Sequence, residues 1–244
     1  MKPDLDRYCP NCLLWRACQG SGKRRALRRG DMAIIPEQPV RHVFLLLDGL
    51  AATFRTSESG HDNLAAFMLP GDFWGLTTLY EDDNAKPLLF DMDRMDRGGE
   101  HCYESRAIVP SVFCKVTGER FLTFIERDHQ LAMGLMKRQV AFFRNQTRLH
   151  SFSAKGQGFH RLIALLLIIA ERVGKPTEDG LASPLELHHE DLAQLTGLSR
   201  PVLTRNLLEL RKLNLISIEE SMICLRDIPG LGRALRREQA QVEV

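Results

Sequence analysis

The clearest structural signal in this sequence is Leu192-Ala193-Gln194-Leu195-Thr196-Gly197-Leu198-Ser199-Arg200-Pro201-Val202-Leu203-Thr204-Arg205. A short amphipathic helix ends at Gly197, and a second helix begins after Ser199, a residue type that caps helix N-termini. Pro201 lies in the first turn of the second helix, where its missing N–H costs little. Small and apolar residues on both helices suit a tight crossing, which predicts a helix-turn-helix.

Polar side chains cluster near the start of the second helix, at the end that enters the major groove of DNA in such motifs. They are Ser199, Arg200, Thr204 and Arg205. An arginine can donate two hydrogen bonds to a guanine edge, while hydroxyl groups suit phosphate or base contacts. We therefore predict that this helix reads double-stranded DNA. A winged helical domain that binds protein instead of DNA is the alternative.

The residues around this motif predict the rest of a C-terminal domain over 156–244. Residues 161–173 form an apolar helix, and residues 174–180 are predicted to be a loop. Residues 215–225 read as two short strands with a turn, which together predict a small wing. The longest apolar run, 162–170, is too short to cross a bilayer, so we expect a buried helix.

The N-terminal half, residues 30–117, reads as a series of short strands. Apolar or alternating segments are separated by turns such as Asp48-Gly49 and Pro70-Gly71-Asp72. A spacing of roughly ten residues between turns predicts an antiparallel barrel or roll. Residues 81–100 are acidic and contain glycine, so we expect a long loop there.

A long helical pattern runs from Gly118 to Phe152 and carries two apolar stripes. Residues 135, 142 and 149 recur every seven positions. The second stripe follows a spacing of three and four and contains Met136, Val140, Phe143, Thr147 and His150. A helix that is apolar on two faces needs two packing partners, here its own β-domain and a second copy of the chain. We predict a dimerisation helix with a hinge over 118–155, the alternative being a core helix in a monomer.

Half of the six cysteines lie in ten residues near the N-terminus, as Cys9, Cys12 and Cys18. Thiolates this close in sequence suit a soft metal or an iron–sulfur cluster. They suit disulfides badly in an intracellular chain, which is kept reduced. The arm over 1–29 ends in a basic stretch that begins at residue 23. These basic side chains either form a solvated surface or offset the negative charge of a nearby cluster.

Composition is ordinary for a globular protein: 244 residues, 44% hydrophobic, 26% charged and a net charge of +2. Such a chain holds two modest domains and a connector. The first residues lack the apolar segment of a signal peptide, so we expect a cytoplasmic protein without membrane association. No catalytic triad, carboxylate pair or phosphate-binding glycine loop stands out, so we expect no enzyme.

These features together resemble the CRP/FNR family of bacterial transcription regulators. The resemblance covers nearly the whole chain and lies in the strand-rich half with Pro70-Gly71-Asp72, the long helix and the segment 192–205. It implies an α+β fold with an N-terminal antiparallel β-roll, a long dimerisation helix and a C-terminal winged helix-turn-helix. The implied partners are a two-fold DNA operator, a second copy of the chain and RNA polymerase.

Within that family, Cys9, Cys12 and Cys18 resemble the oxygen-sensing FNR branch, whose [4Fe–4S] cluster uses this spacing and one distant cysteine. The resemblance implies DNA binding with the cluster intact and release when oxygen degrades it. Cys102 and Cys114 compete for the fourth position, and Cys114 is favoured because it precedes the long helix, where the branch places its distant ligand. A zinc site or a thiol redox switch is the alternative use of these cysteines.

Two departures from the family pattern affect the prediction. The family's recognition helix usually carries a glutamate where this chain has Pro201. Losing that carboxylate removes an acceptor for a cytosine amino group, which puts the usual operator in doubt. Residues 70–75 are also not followed by the Arg-Ser pair of the nucleotide-binding branch, so no cyclic nucleotide is expected.

Overall fold

A computed structural model describes residues 22–34, 42–56, 62–75, 103–152, 157–219 and 221–236. The chain divides into two compact units, residues 1–142 and 143–244. Cys9, Cys12, Cys18 and Cys102 lie outside the described residues, as do the predicted loop over 81–100 and part of the predicted hinge.

The first unit contains two four-stranded antiparallel sheets, in the orders β1-β8-β3-β6 and β2-β7-β4-β5. The strands are β1 (Lys23–Leu27), β2 (Met32–Ile34), β3 (His42–Asp48), β4 (Ala51–Thr56), β5 (Asp62–Met68), β6 (Phe73–Trp74), β7 (Tyr103–Ala107) and β8 (Ser111–Thr117). The predicted antiparallel architecture is therefore confirmed. Residues 23–27, which the sequence analysis assigned to the arm, form β1 and pair along the whole of β8.

Alternation along β8 divides the first unit into two apolar clusters. Phe113 packs with Leu46 in one cluster, while Cys114 and Val116 pack with Leu45 in the other. Successive side chains of a strand point to opposite faces of its sheet, so neighbouring residues serve different cores. The second cluster also contains residues from the helices that follow β8.

The Pro70-Gly71-Asp72 segment is a tight turn between β5 and β6. Asp72 is buried, and its carboxylate accepts the backbone N–H of Leu69 at 2.9 Å. Gly71 has a φ of +92°, a conformation that side chains other than glycine's rarely adopt. Its N–H donates to the carbonyl of Leu46, which ties the turn to β3.

The predicted continuous helix over 118–152 is wrong in one respect, because the structure contains two helices. These are α1 (Gly118–Arg127) and α2 (His129–His150), separated at Asp128. Asp128 has an extended conformation, and its carboxylate accepts the N–H of Leu131 at 3.0 Å. A short acidic side chain that bonds the backbone in this way favours a new helix start over a helix interior.

The second unit is built on α3 (Gly158–Val173), whose central residues are buried all round. The other helices are α4 (His189–Thr196), α5 (Arg200–Lys212) and α6 (Ile228–Arg236). The strands form one antiparallel sheet in the order β11-β12-β10-β9, with β9 (Lys175–Thr177), β10 (Gly180–Ala182), β11 (Ile216–Glu219) and β12 (Met222–Leu225).

Two features of this unit differ from the sequence prediction. Residues 174–180 are not a loop: β9 and β10 form a hairpin, and the hydroxyl of Thr177 donates to the carbonyl of Gly180. The sequence also gave no expectation of α6, which packs on α3. Within the described part of the chain, no helix combines the length and apolarity needed to cross a membrane.

Candidate DNA interface, dimer face and cysteine site

The helix-turn-helix consists of α4, a turn at Gly197 and α5. Gly197 has a φ of +66°, and its N–H donates to the carbonyl of Ala193, which ends α4. A left-handed residue after a helix is the position that favours glycine. Leu192, Leu195 and Leu203 are fully buried between the helices, so the motif is rigidly packed.

The four side chains predicted to contact DNA lie together at the start of α5. Ser199, Arg200 and Arg205 are exposed, and Thr204 is half-buried. Ser199 occupies the N-cap position, although its side chain makes no capping hydrogen bond. That hydroxyl is therefore not used by its own helix. The buried side of α5 carries apolar residues, such as Leu207, which point away from this surface.

Two of these four side chains are in contact with the first turn of α4. Arg200 donates to the Glu190 carboxylate at 2.6 Å, with both side chains exposed. The hydroxyl of Thr204 lies 3.2 Å from Nδ1 of His189. Sequence reasoning missed both partners, because residues ten or more positions apart meet only once the crossing of the helices is known.

The adjacent residues His188 and His189 lie at the start of α4. His188 occupies the N-cap of α4, and its backbone N–H donates to the Asp191 carboxylate at 2.7 Å. The first of the two histidines therefore caps the start of α4. Among the described residues, no group of three or more histidine, cysteine or acidic side chains could hold a metal ion.

Within the second unit, Arg161 links Phe152 to the helix-turn-helix. Its Nε donates to the carbonyl of Phe152 at 3.0 Å, and its Nη1 donates to the carbonyl of Thr196 at 2.6 Å. Thr196 is the last residue of α4, so the guanidinium lies where the negative end of that helix dipole falls. Burial lowers the pKa of Arg161, but an arginine remains charged at neutral pH. Sequence reasoning did not single out this residue.

The five residues predicted to form a dimer face lie on the exposed side of α2. Met136, Val140 and Phe143 are 60%, 64% and 62% exposed. Thr147 and His150 are also exposed. Large apolar side chains in a continuous exposed stripe indicate an interaction surface. Their spacing of four, three, four and three residues is the heptad spacing of paired helices.

The second stripe of α2 is buried within the chain. Leu149 is 1% exposed, and Leu135 and Phe142 pack against the apolar clusters of the first unit. The two stripes therefore serve different partners, as a helix apolar on two faces requires.

Cys114 is buried at 3% exposure on β8. A Cβ built on Gly22 would overlap its Sγ atom, so the first described residue of the chain lies directly against the sulfur. Arg24 is the register partner of Cys114 across β1 and β8. Residues directly opposite each other in an antiparallel pair have side chains on the same face, about 4.5–5.5 Å apart at Cβ.

These features fit the chemistry of a thiolate-bound cluster at this place. A buried sulfur at the point where a cysteine-bearing arm joins the sheet offers a soft ligand with little solvent access. An arginine on the same face offsets the negative charge that several thiolates bring. The other three sulfur ligands of the predicted set lie outside the described residues, so the fit concerns Cys114 and its surroundings.

Comparison with known proteins identifies the C-terminal unit. Residues 160–234 match the Crp-like helix-turn-helix domain. The "Global nitrogen regulator" of Synechococcus elongatus is 27% identical over 209 residues, covering 84% of this chain and 87% of that protein. The "Nitrogen fixation regulation protein FixK" of Bradyrhizobium diazoefficiens is 23% identical over 207 residues, covering 84% and 79%.

The same fold occurs in FixK2 from Bradyrhizobium japonicum, whose structure is similar with a TM-score of 0.66 and 18% identity. The match covers 87% of this chain and 96% of that one.

The matched domain, the fold and the relatives define the class: this chain is a DNA-binding transcription regulator with a CRP-like fold. The family match itself concerns residues 160–234, the Crp-like helix-turn-helix domain. Proteins of this class are regulators and not enzymes, in agreement with the sequence prediction.

Proposed function

We propose that this regulator is a homodimer whose DNA binding responds to oxygen through a [4Fe–4S] cluster held by Cys9, Cys12, Cys18 and Cys114. The observation that carries the proposal is the position of the Cys114 sulfur against Gly22, where the cysteine-bearing arm meets the sheet. The sequence resemblance to the oxygen-sensing branch supports the cluster type.

Chain length supports the participation of the arm. Cys18 is four residues from Gly22, and four extended residues span about 14 Å at most. Chain connectivity therefore limits the separation of the Cys18 and Gly22 Cα atoms to about 14 Å. Cys12 is six residues before Cys18, which leaves enough chain for two or more arm cysteines to converge.

Local charge supports the binding of an anionic group. Arg24 lies opposite Cys114, and Lys23 and Arg25 flank it on β1. Cationic side chains on the strand beside the sulfur offset the negative charge that a thiolate-bound cluster brings. When bound, the cluster supplies an oxygen-labile connection between the arm and β8.

Packing supports a route from the cysteine to the dimer helix. Cys114 belongs to the same buried cluster as Phe121 of α1 and Leu131 of α2, with Leu135 packed against it. A change in how the arm holds Cys114 therefore acts on the first turns of α2. The outer face of the same helix carries the dimer stripe with Met136 and Val140.

Modest energies are enough for such a switch. Every 1.4 kcal/mol in dimer free energy changes the dissociation constant about tenfold. Since a two-fold operator is bound by the dimer, a change of a few kcal/mol alters its occupancy by orders of magnitude. The dimer would place two α5 helices about 34 Å apart, one helical turn of DNA. At a promoter, we extend the proposal to contact with RNA polymerase, which the family resemblance implies.

The proposal is tested with anaerobically purified full-length protein. We expect a dimer that binds a selected duplex, and a monomer with weaker binding after exposure to air. Serine variants of Cys9, Cys12, Cys18 and Cys114 should each be monomeric and air-insensitive. Regulation that survives all four substitutions would overturn the proposal. A colourless zinc-containing protein, or one whose response is reversed by a thiol reductant alone, would favour the zinc or thiol-switch alternative.

A further inference from the structure

The first turn of α4 contacts the predicted DNA-reading face of α5 through two consecutive residues. Arg200 donates from one terminal nitrogen to Oε2 of Glu190 at 2.6 Å. In the same turn, His189 Nδ1 lies 3.2 Å from the hydroxyl of Thr204. Arg200 and Thr204 are four residues apart and therefore share a face of α5.

The ion pair contributes little to the stability of the fold. The Arg200 and Glu190 side chains are 65% and 61% exposed, and exposed pairs are worth roughly 0–1 kcal/mol. Leu192 and Leu203, both fully buried, already hold the two helices together. What the pair determines is the direction of the Arg200 guanidinium.

A guanidinium oriented by Glu190 still has free N–H groups that can donate to a base. Arginine has five N–H donors in a planar fork, so one bond to Glu190 leaves others for a guanine edge. A side chain that is already ordered loses less conformational freedom when DNA binds. The carboxylate also repels phosphates, which penalises DNA that offers no compensating base contact.

The amino-terminal turn of α5 contains no acidic residue of its own. Pro201 fills the position where the family's recognition helix usually carries glutamate. In this chain the carboxylate beside Arg200 therefore comes from the neighbouring helix, in the form of Glu190.

We propose that Glu190 is a positioning residue that sets the base preference of Arg200 and lowers affinity for unrelated DNA. This inference rests on the proposed DNA-reading role of Arg200. It goes beyond that role because it assigns specificity to a side chain outside the recognition helix.

The test uses full-length, anaerobically purified protein and duplexes selected from a pool with a randomised centre. The variants are Glu190→Gln, Glu190→Ala and Arg200→Ala, with Arg205→Ala as a second reading variant. Glu178→Gln is the matched control, because it removes the same charge from an exposed residue in the β9–β10 turn. Each protein's preferred bases are determined, and its affinities for the selected and a scrambled duplex are compared.

We expect both Glu190 variants to lose base preference at the same position as Arg200→Ala. The ratio of the affinities for the selected and scrambled duplexes should fall about fivefold or more. This is part of the discrimination that a bidentate arginine–guanine contact provides. Glu178→Gln should behave as wild type. Because the pair is exposed, the thermal midpoints should not change.

Unchanged base preferences in both Glu190 variants would overturn the proposal. So would an equal gain in affinity for both duplexes, since that is the effect of charge alone. An unchanged preference in Arg200→Ala would overturn it as well. A wild-type protein that selects no sequence would instead contradict the proposed DNA reading itself, whereas selection lost only in Arg205→Ala would leave that function standing and reject the role of Glu190.

Discussion

Gly22 and Cys114 are in direct contact, so closely that a Cβ on Gly22 would overlap the cysteine sulfur. Gly22 is buried just before β1, and Cys114 lies on β8, the strand that pairs with β1. Cys114 also belongs to the apolar cluster that includes Val116 and Phe121. A side chain at residue 22 therefore has to displace either the sulfur or the start of the strand.

We predict that Gly22→Ala lowers the free energy of unfolding by about 1–3 kcal/mol, the usual cost of overpacking a core. In a Cys114→Ala background the loss should shrink, because the overlapping atom is gone. Urea unfolding of the four proteins of this double-mutant cycle measures the coupling. Gly232→Ala is the control, since a Cβ there would lie 3.9 Å from the nearest side-chain atom, Nη2 of Arg236. Equal losses in both backgrounds would show that the contact does not constrain residue 22.

The stripe on α2 should control dimer formation. Val140 is 64% exposed in the single chain, and a two-fold axis repeats any change at this face twice. Val140→Glu should weaken the dimer by about 3 kcal/mol or more, because burying a valine on each side is worth roughly 1.5–3 kcal/mol. Sedimentation of the anaerobic protein gives the dissociation constant.

Lys137→Glu is the control for the dimer experiment. It introduces the same residue on an exposed position of the same helix, roughly a quarter-turn from the centre of the stripe. We expect its dimer to be far less affected. If the two variants dissociate alike, or if neither does, the stripe is not the dimer contact.

Arg205, near the start of α5, should read a base. Arg211, an exposed residue in the last turn of the same helix, should contact a phosphate. Arg205 is exposed, and Arg205→Ala should weaken binding to the selected duplex by about 1–3 kcal/mol while relaxing specificity at one position. Arg211→Ala should weaken all duplexes alike and reduce the salt slope by about one. Fluorescence anisotropy titrations at several salt concentrations separate the two effects. Identical behaviour of the two variants would contradict the assignment.

The pKa of His42 should be lower than that of a free histidine, because its ring is partly buried and two lysines of the first sheet lie near it. Partial burial, and then the charges of Lys115 and Lys23, lower this pKa below the ordinary value of about 6.5. The unfolded chain then binds a proton at His42 more readily than the folded chain. Stability is therefore complete above the ordinary value and declines as pH falls from there through the lowered pKa.

An NMR titration of the His42 ring measures this pKa directly. Lys115→Met should raise it, whereas Lys137→Met on α2 should not. A pKa at or above the ordinary value in the wild type would contradict the predicted direction. His42→Asn should also reduce the loss of stability between neutral and mildly acidic pH.

Local signals made much of this fold predictable. Gly197, Ser199 and Pro201 define the turn and the start of α5 through backbone chemistry that acts within a few residues. The two stripes on α2 were visible because helical periodicity is local as well. Because each apolar face of a helix needs a packing partner, the two stripes predicted one contact within the chain and one with a second copy.

The features that were not predicted depend on distant residues. β1 lies in a lysine- and arginine-rich segment, and its strand character comes from pairing with β8 some 90 residues away. The break at Asp128 depends on one side-chain hydrogen bond. The contact between Glu190 and Arg200 depends on the crossing of two helices, which no periodicity reveals.

We propose that Cys114 completes an iron–sulfur cluster with the cysteines of the arm. The most direct measurement is the visible absorption spectrum of anaerobically purified protein, with iron and sulfide counts, for wild type and Cys114→Ser. We predict a brown wild type with about four irons and four sulfides per chain that bleaches in air, and a colourless variant. A wild type without iron and sulfide, or a Cys114→Ser protein that retains the full cluster, would contradict it.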